Sequence, residues 1–303
     1  MGLFKVSILG NGAAVPTARQ HPSSQLLQHN RKKFMIDCGE GTQMQMQRFK
    51  FSYKNMAHVF ISHLHGDHYL GLMGMISTFN LFSRQEDLHV YGPPELQDVL
   101  NLHLKVSDMH LKYELIFHEL KEADLIYEDD RLEISCFPLK HRIPTWGFLF
   151  REKDKSERNL LKEFVEEFKP GLEQMYKIKQ GADFITPAGV LMKNKEITYH
   201  PKPLSYAYCC DTVYDEELIP VIQDVDMLYH ESTFDQKNEG IAADKFHATA
   251  AQAAALASKA NVGKLLLGHF SARYKDRDVL LNEARPVFEN TILSREGDTY
   301  QIG

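Results

Sequence analysis

Short apolar runs of strand length recur along the chain, and five of them end on a residue able to ligate a metal or move a proton. Val59-Phe60-Ile61 leads to His63 and His65, and the run from Leu132 to Leu139 leads to His141. The run from Ser205 to Cys210 leads to Asp211, that from Asp226 to Tyr229 leads to His230 and Glu231, and that from Lys264 to Gly268 leads to His269. Their β-branched and aromatic residues predict strands. Further strands are expected at 3–9, 25–28, 33–37, 88–91, 114–118, 131–138 and 145–151. Helical patterns are expected at 69–82, with Asp67 and His68 at its N-terminus, after Pro93-Pro94, and along the alanine-rich run 248–260. Gly10-Asn11-Gly12 is expected to be a tight turn, and Met44 and Met46 to pack against the core. Strands, a helix, more strands and then alternating helices and strands predict an α/β sandwich in two halves, with strand ends delivering functional groups to one edge. The stretch 152–202 breaks the rhythm. It holds a charged helical pattern at 159–168, then Pro170-Gly171, Lys177 and Lys179. It reads as an inserted arm: a solvated surface insertion, or a protrusion reaching for a large substrate or a partner subunit.

Composition narrows the class without naming a chemistry. At 303 residues, 43% hydrophobic and 25% charged, the chain suits a single globular domain over 1–303 with one core and an insertion. The four cysteines, Cys38, Cys136, Cys209 and Cys210, are too few for a disulfide framework. Adjacent Cys209 and Cys210 should face opposite sides of a strand. No apolar run approaches the roughly 18 residues of a membrane span. Met1 to Ser7 lacks a signal-peptide core, and Val6 breaks the myristoylation pattern, so the cytoplasm is the expected compartment.

The chemistry is concentrated in His63-Leu64-His65-Gly66-Asp67-His68, four metal-ligand side chains within six residues. Imidazole and carboxylate are ligands that zinc prefers, and this density can serve two coordination shells. A net charge of −6 argues against a nucleic-acid partner. A metal cluster adds local positive charge, however, and binding depends on the patch rather than the sum. Small basic clusters stand at Arg31-Lys32-Lys33, 140–142, 177–179 and 193–195, each equally compatible with ordinary solvated surface. His21, His29, His58, His89, His103, His110, His118 and His200 fall outside the pattern and are expected to be surface or packing residues.

The histidine motif, with His141, Asp211 and His269 at strand ends, resembles the metallo-β-lactamase superfamily, which implies an αββα sandwich with a dinuclear zinc site. The segments 37–42, 62–72, 210–212, 230–233, 246–249 and 268–274 narrow this to a resemblance to the ribonuclease Z family, the tRNA 3′-processing endoribonucleases. The resemblance implies that His63, His65 and His141 hold one zinc and that Asp67, His68 and His269 hold the other. Asp211 would bridge them, and other divalent metals could replace zinc. It implies that Asp67 orients the attacking metal-bound water. His247, held by Glu231, would protonate the leaving ribose oxygen, while Arg273 and Ser271 contact the phosphate. The products would be a tRNA 3′-hydroxyl and a trailer 5′-phosphate. His230 could be catalytic or could orient its neighbours. The short length implies a homodimer acting on precursor tRNA, with residues 152–202 as a tRNA-gripping arm, although Pro170-Gly171 reverses the family's Gly-Pro order. The alternatives are another superfamily phosphodiesterase acting on small molecules, or a non-catalytic RNA-binding scaffold.

Overall fold

The computed structural model describes residues 3–154 and 158–303; Met1 and Gly2, where the N-terminal reading begins, and 155–157 of the expected arm lie outside the described residues. The chain divides into two compact units, one of Met1–Tyr127, Ile134–Phe150 and Ser205–Gly303, the other of Glu128–Glu133 and Arg151–Leu204.

The larger unit is built on two sheets, each of seven strands among the described residues. The first runs in the order Thr299–Gln301, Phe4–Gly10, Ser24–His29, Lys32–Cys38, Met56–Phe60, Leu88–Gly92, Leu115–Glu119. The second runs Thr291–Leu293, Leu265–Gly268, Met227–Glu231, Ser205–Cys209, Thr145–Glu152, Leu132–Leu139, Asp124–Glu128. Lys32–Cys38 and the strands after it in the first sheet are parallel, as are the first four of the second. Parallel neighbours end on the same edge, so the residues following Cys38, Phe60, Cys209, Glu231 and Gly268 are gathered there.

The two inner faces meet through rings, with Phe34 against Phe150 at 6.0 Å and Phe60 against Phe148 at 5.4 Å between centroids. The outer face of the first sheet, including Met35, Val59 and Val90, packs on Leu72, Met75, Ile76 and Phe79 of helix Gly66–Leu81 and on Leu96 and Leu100 of helix Glu95–Val106. The second sheet's outer face, including Ala207, Cys209, Leu228, Leu265 and Leu267, packs on the small buried face of helix Ala250–Lys259. Burial on both faces explains why these strands read as continuous apolar runs rather than as alternating ones. The layers are helix, sheet, sheet, helix, as the resemblance implied. Cys209 lies in the helix-side core, and the thiol of its neighbour Cys210 donates to Asp211 Oδ1 at 3.3 Å.

Three local expectations need correction, and one strand was not expected. Gly10-Asn11-Gly12 is not a turn: Gly12–Ala13 is a short strand parallel to Phe270–Ser271, and the Asn11 amide is buried on Ser294. The glycine is demanded by close approach, since a Cβ at Gly10 would sit 1.8 Å from the Pro22 carbonyl oxygen. Of the two methionines on helix Thr42–Arg48, Met46 is buried but Met44 is 67% exposed. Asn159–Leu160 pairs as a strand with Thr198–Tyr199, so the helix expected from 159 begins at Lys162. Asp124–Glu128 is an edge strand that its charged ends concealed.

Three histidines outside the metal pattern form a stacked ladder across neighbouring strands. His58 lies on His89 at 4.9 Å and His89 on His118 at 5.2 Å, with a His89–His118 hydrogen bond of 2.9 Å. Burial, then the charges of His89, Lys32, His118 and Arg84, push His58 down to about 3. A histidine held neutral in the fold but titrating near 6.5 in the unfolded chain lends stability that is complete above pH 6.5 and lost as pH falls toward 3. Between pH 7 and pH 5 this group alone is expected to cost about 2 kcal/mol, at roughly 1.4 kcal/mol per unit. Urea melts in a phosphate-free buffer should show His58→Phe losing about that much less than wild type over the interval. Equal losses would sink the account.

The smaller unit has its own core of Phe164, Ile178, Phe184 and Ile197. Two of its helices, Lys162–Phe168 and Leu172–Lys179, are joined across Pro170-Gly171. Leu172, Tyr176, Ile185 and Val190 are exposed. A core this small is what an appendage of some fifty residues can assemble once charged residues take its outer faces.

Candidate metal centre

The strand ends and one helix start supply the site. His65 precedes helix Gly66–Leu81, which puts Asp67 and His68 in its first turn, while Asp37 is the penultimate residue of its strand, Asp211 comes two residues after its strand and His269 directly follows its own. These last three have φ of 54°, 59° and 54°, the left-handed region that Asp tolerates better than most residues. Leaving extended geometry at that point turns each side chain off the pleat and toward its neighbours.

Two groups of ligand atoms result. In the first, His63 Nε2 lies 3.0 Å from His65 Nδ1 and 3.4 Å from Asp211 Oδ2, and His141 Nε2 lies 3.2 Å from His65 Nδ1 and 3.7 Å from Asp211 Oδ2. In the second, Asp211 Oδ1 lies 3.0 Å from His269 Nε2 and 3.6 Å from His68 Nε2. Asp67 Oδ2 stands 3.5 Å from each of the same two nitrogens. Tetrahedral ligands about 2.0–2.2 Å from a zinc stand about 3.3–3.6 Å from one another, so both groups have the edge lengths such a cage needs. Asp211 turns one oxygen to each.

The outer ring nitrogens of four of these histidines are committed elsewhere. His68 Nδ1 is 2.7 Å from Asp37 Oδ2, His141 Nδ1 is 2.8 Å from the Phe246 carbonyl, His269 Nδ1 is 2.9 Å from Thr233 Oγ1 and His63 Nδ1 is 3.0 Å from Ser62 Oγ. Each bond selects the tautomer and aims Nε2 inward, the support that metal-ligating histidines characteristically have. His68 Nε2 and His269 Nε2 are buried with no hydrogen-bond partner, a costly arrangement unless a Lewis acid takes the lone pair. Burial, with His68 alongside, holds His63 down at about 4, the neutral form that ligation needs. The residues fit a metal.

Cys210 complicates the second group. Its sulfur falls within ligand range together with His68, Asp211 and His269. Asp67 remains the better ligand chemically. Its carboxyl is held far below the ordinary range: burial opposes ionisation, but His68 and His269 outweigh it, and the Ala14 N–H donates to Oδ2 at 2.7 Å. Burial pushes the Cys210 thiol well up, reinforced by Asp211, Glu231 and Asp37, so it stays protonated and acts as a donor.

A third cluster, Glu231, His247 and His269, is better read as an acid pair. Glu231 is fully buried, and its oxygens already accept from the Thr212 N–H, the Thr233 N–H, the Thr233 hydroxyl and His247 Nδ1, the last at 2.9 Å. No lone pair is left for a metal. Burial lowers His247, but the charge and hydrogen bond of Glu231 prevail and raise it to about 9. His230, beside it in sequence, points away, with Nδ1 on the Glu231 carbonyl at 2.7 Å.

A cleft of about 520 Å³ opens over these groups, lined by Asp67, Asp211, His247 and His269 and by Arg142, Lys245, Ser271 and Arg273. The Arg273 guanidinium lies 4.9 Å over the Phe234 ring and donates to Asn238 Oδ1 at 3.2 Å. All the residues singled out in the sequence as ligands, acid pair or phosphate contacts thus meet at one edge. The orienting partners Asp37, Ser62 and Thr233 and the Ala14 amide were not assigned there. Asp37, Ser62 and Thr233 lie in the family-like segments, but the Ala14 contact joins residues 53 apart and leaves no local signal.

Comparison with known proteins places this geometry in a family. A family model described as "Anti-Pycsar protein Apyc1" matches residues 4–153, the part that carries His63, His65, His68 and His141 but not Asp211, His247 or His269. Curated relatives named ribonuclease Z match almost the whole chain. That of Bacteroides thetaiotaomicron is 45% identical over 299 residues, 98% of this chain and 94% of the relative. That of Porphyromonas gingivalis strain W83 is 42% identical, covering 98% of both. Among solved structures, human tRNase Z, short form, superposes with a TM-score of 0.73 at 24% identity, covering 99% of each chain. A metallo-β-lactamase fold protein of Bacillus subtilis superposes at 0.70 and 17% identity, covering 99% of this chain and 100% of its own. The sandwich is therefore of the metallo-β-lactamase type, and near-complete alignment with relatives more than 40% identical makes this chain a member of the ribonuclease Z family.

Proposed function

We propose that the protein is a zinc-dependent endoribonuclease that removes 3′ trailers from precursor tRNA. The observation that carries this reading is the placement of Asp211 between two imidazole groups in the same cleft as the His247–Glu231 pair. His63, His65, His141 and Asp211 would hold one zinc, and Asp67, His68, His269 and Asp211 the other. Two such ions would lower the pKa of a water toward about 7 and stabilise charge on a phosphodiester. Asp67, anchored by the Ala14 amide, orients the attacking water and takes its proton. His247 gives a proton to the departing ribose 3′-oxygen, Glu231 keeps it charged and oriented, and Arg273 with Ser271 binds the non-bridging phosphate oxygens. Water adds to phosphorus as the 3′-oxygen leaves, giving a tRNA 3′-hydroxyl and a trailer 5′-phosphate.

The remaining features accord with this reading. The smaller unit, with Lys177 and Lys179 on helix Leu172–Lys179, serves as the arm that grips the tRNA body. Met44, Leu70, Leu81 and Phe82, exposed on and beside helices Thr42–Arg48 and Gly66–Leu81, supply an apolar face suited to a homodimer. Among the described residues no helix is long and apolar enough to cross a membrane, and a cytoplasmic site of action suits the substrate.

The test is to map cleavage of a precursor tRNA with a short trailer by the metal-loaded protein. A single cut near the discriminator nucleotide is expected, lost in Asp67→Ala. The Lys177→Ala/Lys179→Ala variant should cleave tRNA at least tenfold less efficiently while hydrolysing a small phosphodiester normally, because removing phosphate contacts weakens only the large substrate. No specific cut, with the small phosphodiester still hydrolysed, would move the chain to small-molecule phosphodiester chemistry.

A further inference from the structure

Arg31-Lys32-Lys33, one of the basic clusters in the sequence, is not used by the chemistry above. It lines a second cavity of about 380 Å³, together with Lys54 and Arg84, with Glu86 as the carboxylate in the lining. The cavity lies at the starts of strands Lys32–Cys38 and Met56–Phe60, whereas the metal ligands and their supports follow the ends of the same strands. A strand of seven residues at about 3.3 Å per residue separates the two by roughly 20 Å. It is therefore not an extension of the cleft over Asp211.

Two of its cations, Lys33 and Arg84, are held in place by neutral groups. The Lys33 ammonium donates to the Ser52 carbonyl at 2.7 Å. The Arg84 guanidinium donates to the Glu86 and Asp87 carbonyls at 2.6 and 2.8 Å, and lies 5.1 Å from the Phe79 ring centre and 5.7 Å from that of Tyr113. Carbonyl dipoles and ring faces orient a cation without cancelling its charge. Burial and then Lys5 lower Lys33, burial lowers Arg84 against the pull of Glu86, Tyr113 and Asp87, and burial followed by His89, Lys32, His118 and Arg84 lowers His58 in the cavity wall. In a chain of net charge −6, the gathering of Arg31, Lys33, Lys54 and Arg84 around one cavity is a specific electrostatic feature. The wall also includes the rings of Tyr53 and His58.

We propose that this cavity is a second anion site that binds the phosphate of a nucleotide, with Arg31, Lys33, Lys54 and Arg84 as its cations and Tyr53 against the base. The same chemistry is offered by a free nucleoside 5′-triphosphate and by single-stranded RNA, and binding separates the two sources. A fluorescent nucleoside triphosphate and a 5′-labelled single-stranded RNA are titrated into the metal-loaded protein at several salt concentrations. Wild type is compared with Arg31→Glu/Lys54→Glu and with the milder Arg31→Ala/Lys54→Ala; all four substitutions are at exposed positions outside the strands and helices.

At least a tenfold loss of affinity is expected in the charge-reversed variant for one or both probes. For RNA, the slope of log K against log salt should fall by about 0.7 for each cation removed in the alanine variant. Hydrolysis of a small phosphodiester should stay at the wild-type rate, which shows that the metal site is intact. Loss confined to the triphosphate assigns the cavity to a free nucleotide, and loss confined to RNA assigns it to the chain of a bound transcript. Unchanged affinity and salt slope for both probes in both variants overturns the proposal. None of these outcomes depends on whether precursor tRNA is the substrate.

Discussion

Replacing Asp211 with asparagine is expected to abolish cleavage, by at least about 10³-fold, and to take the metal content below two per chain. The side chain is nearly isosteric, so the fold has no steric reason to change. The ligand set does change: Oδ1 faces His68 and His269 while Oδ2 faces His63 and His141, and an amide offers one acceptor oxygen and one NH₂ group where the carboxylate offers two oxygens. One of the two groups would then be met by a donor, and the whole site would lose a negative charge where cations must bind. Metal Lewis acidity contributes several kcal/mol to such reactions, and each 1.36 kcal/mol is tenfold in rate. Elemental analysis of the purified variant and single-turnover cleavage provide the check. Two metals per chain with a rate near wild type would show that Asp211 does not join the two groups.

His247→Ala is expected to lower kcat on precursor tRNA by about 10² to 10⁴, the range for a positioned general acid, with metal content unchanged. Glu231→Gln should cost about 10- to 100-fold, as removal of an orienting partner does, and the double variant should be no worse than His247→Ala alone because the two act as one unit. The decisive comparison uses a substrate whose leaving group needs no proton. On a 4-nitrophenyl phosphodiester the His247→Ala variant should retain close to wild-type turnover. Equal losses on both substrates would mean that His247 holds the site together rather than delivering a proton to the ribose oxygen. The 2.9 Å contact of His247 with a carboxylate saturated by other donors is the geometry that makes the first result the expected one.

Much of the sandwich could be read directly because parallel strands buried on both faces must be continuously apolar. The segments around Phe60, Tyr208, Tyr229 and Leu266 show that pattern without ambiguity. The places where reading failed share a different physics. Asp124–Glu128 is a half-exposed edge strand with charges at both ends, so neither periodicity nor burial marks it. Asn159–Leu160 follows helical spacing but is captured by Thr198–Tyr199, a pairing some forty residues away. Gly10-Asn11-Gly12 has turn composition, yet its glycines answer to the approach of Pro22 and Gln20 rather than to a reversal of the chain. Met44 and Met46 differ by two positions on one helix and so face different sides, which side-chain type alone does not reveal.

Residue type and local spacing determined the chemistry available to this protein: imidazoles and carboxylates at strand ends, a histidine-rich helix start, and too few cysteines for a disulfide framework. Those properties are local, because ligand character belongs to the side chain and strand character to a handful of neighbours. Only the tertiary structure decided which oxygen of Asp211 faces which group, that Asp37 and Thr233 aim His68 and His269, that the Ala14 amide holds Asp67, and that Glu231 has no lone pair left for a metal. Each of these is a contact between residues distant in the chain or a choice among equivalent atoms. Such choices are made by the closing of two sheets against one another, and only then do seven side chains able to ligate a metal, scattered over some two hundred residues, come together at one place.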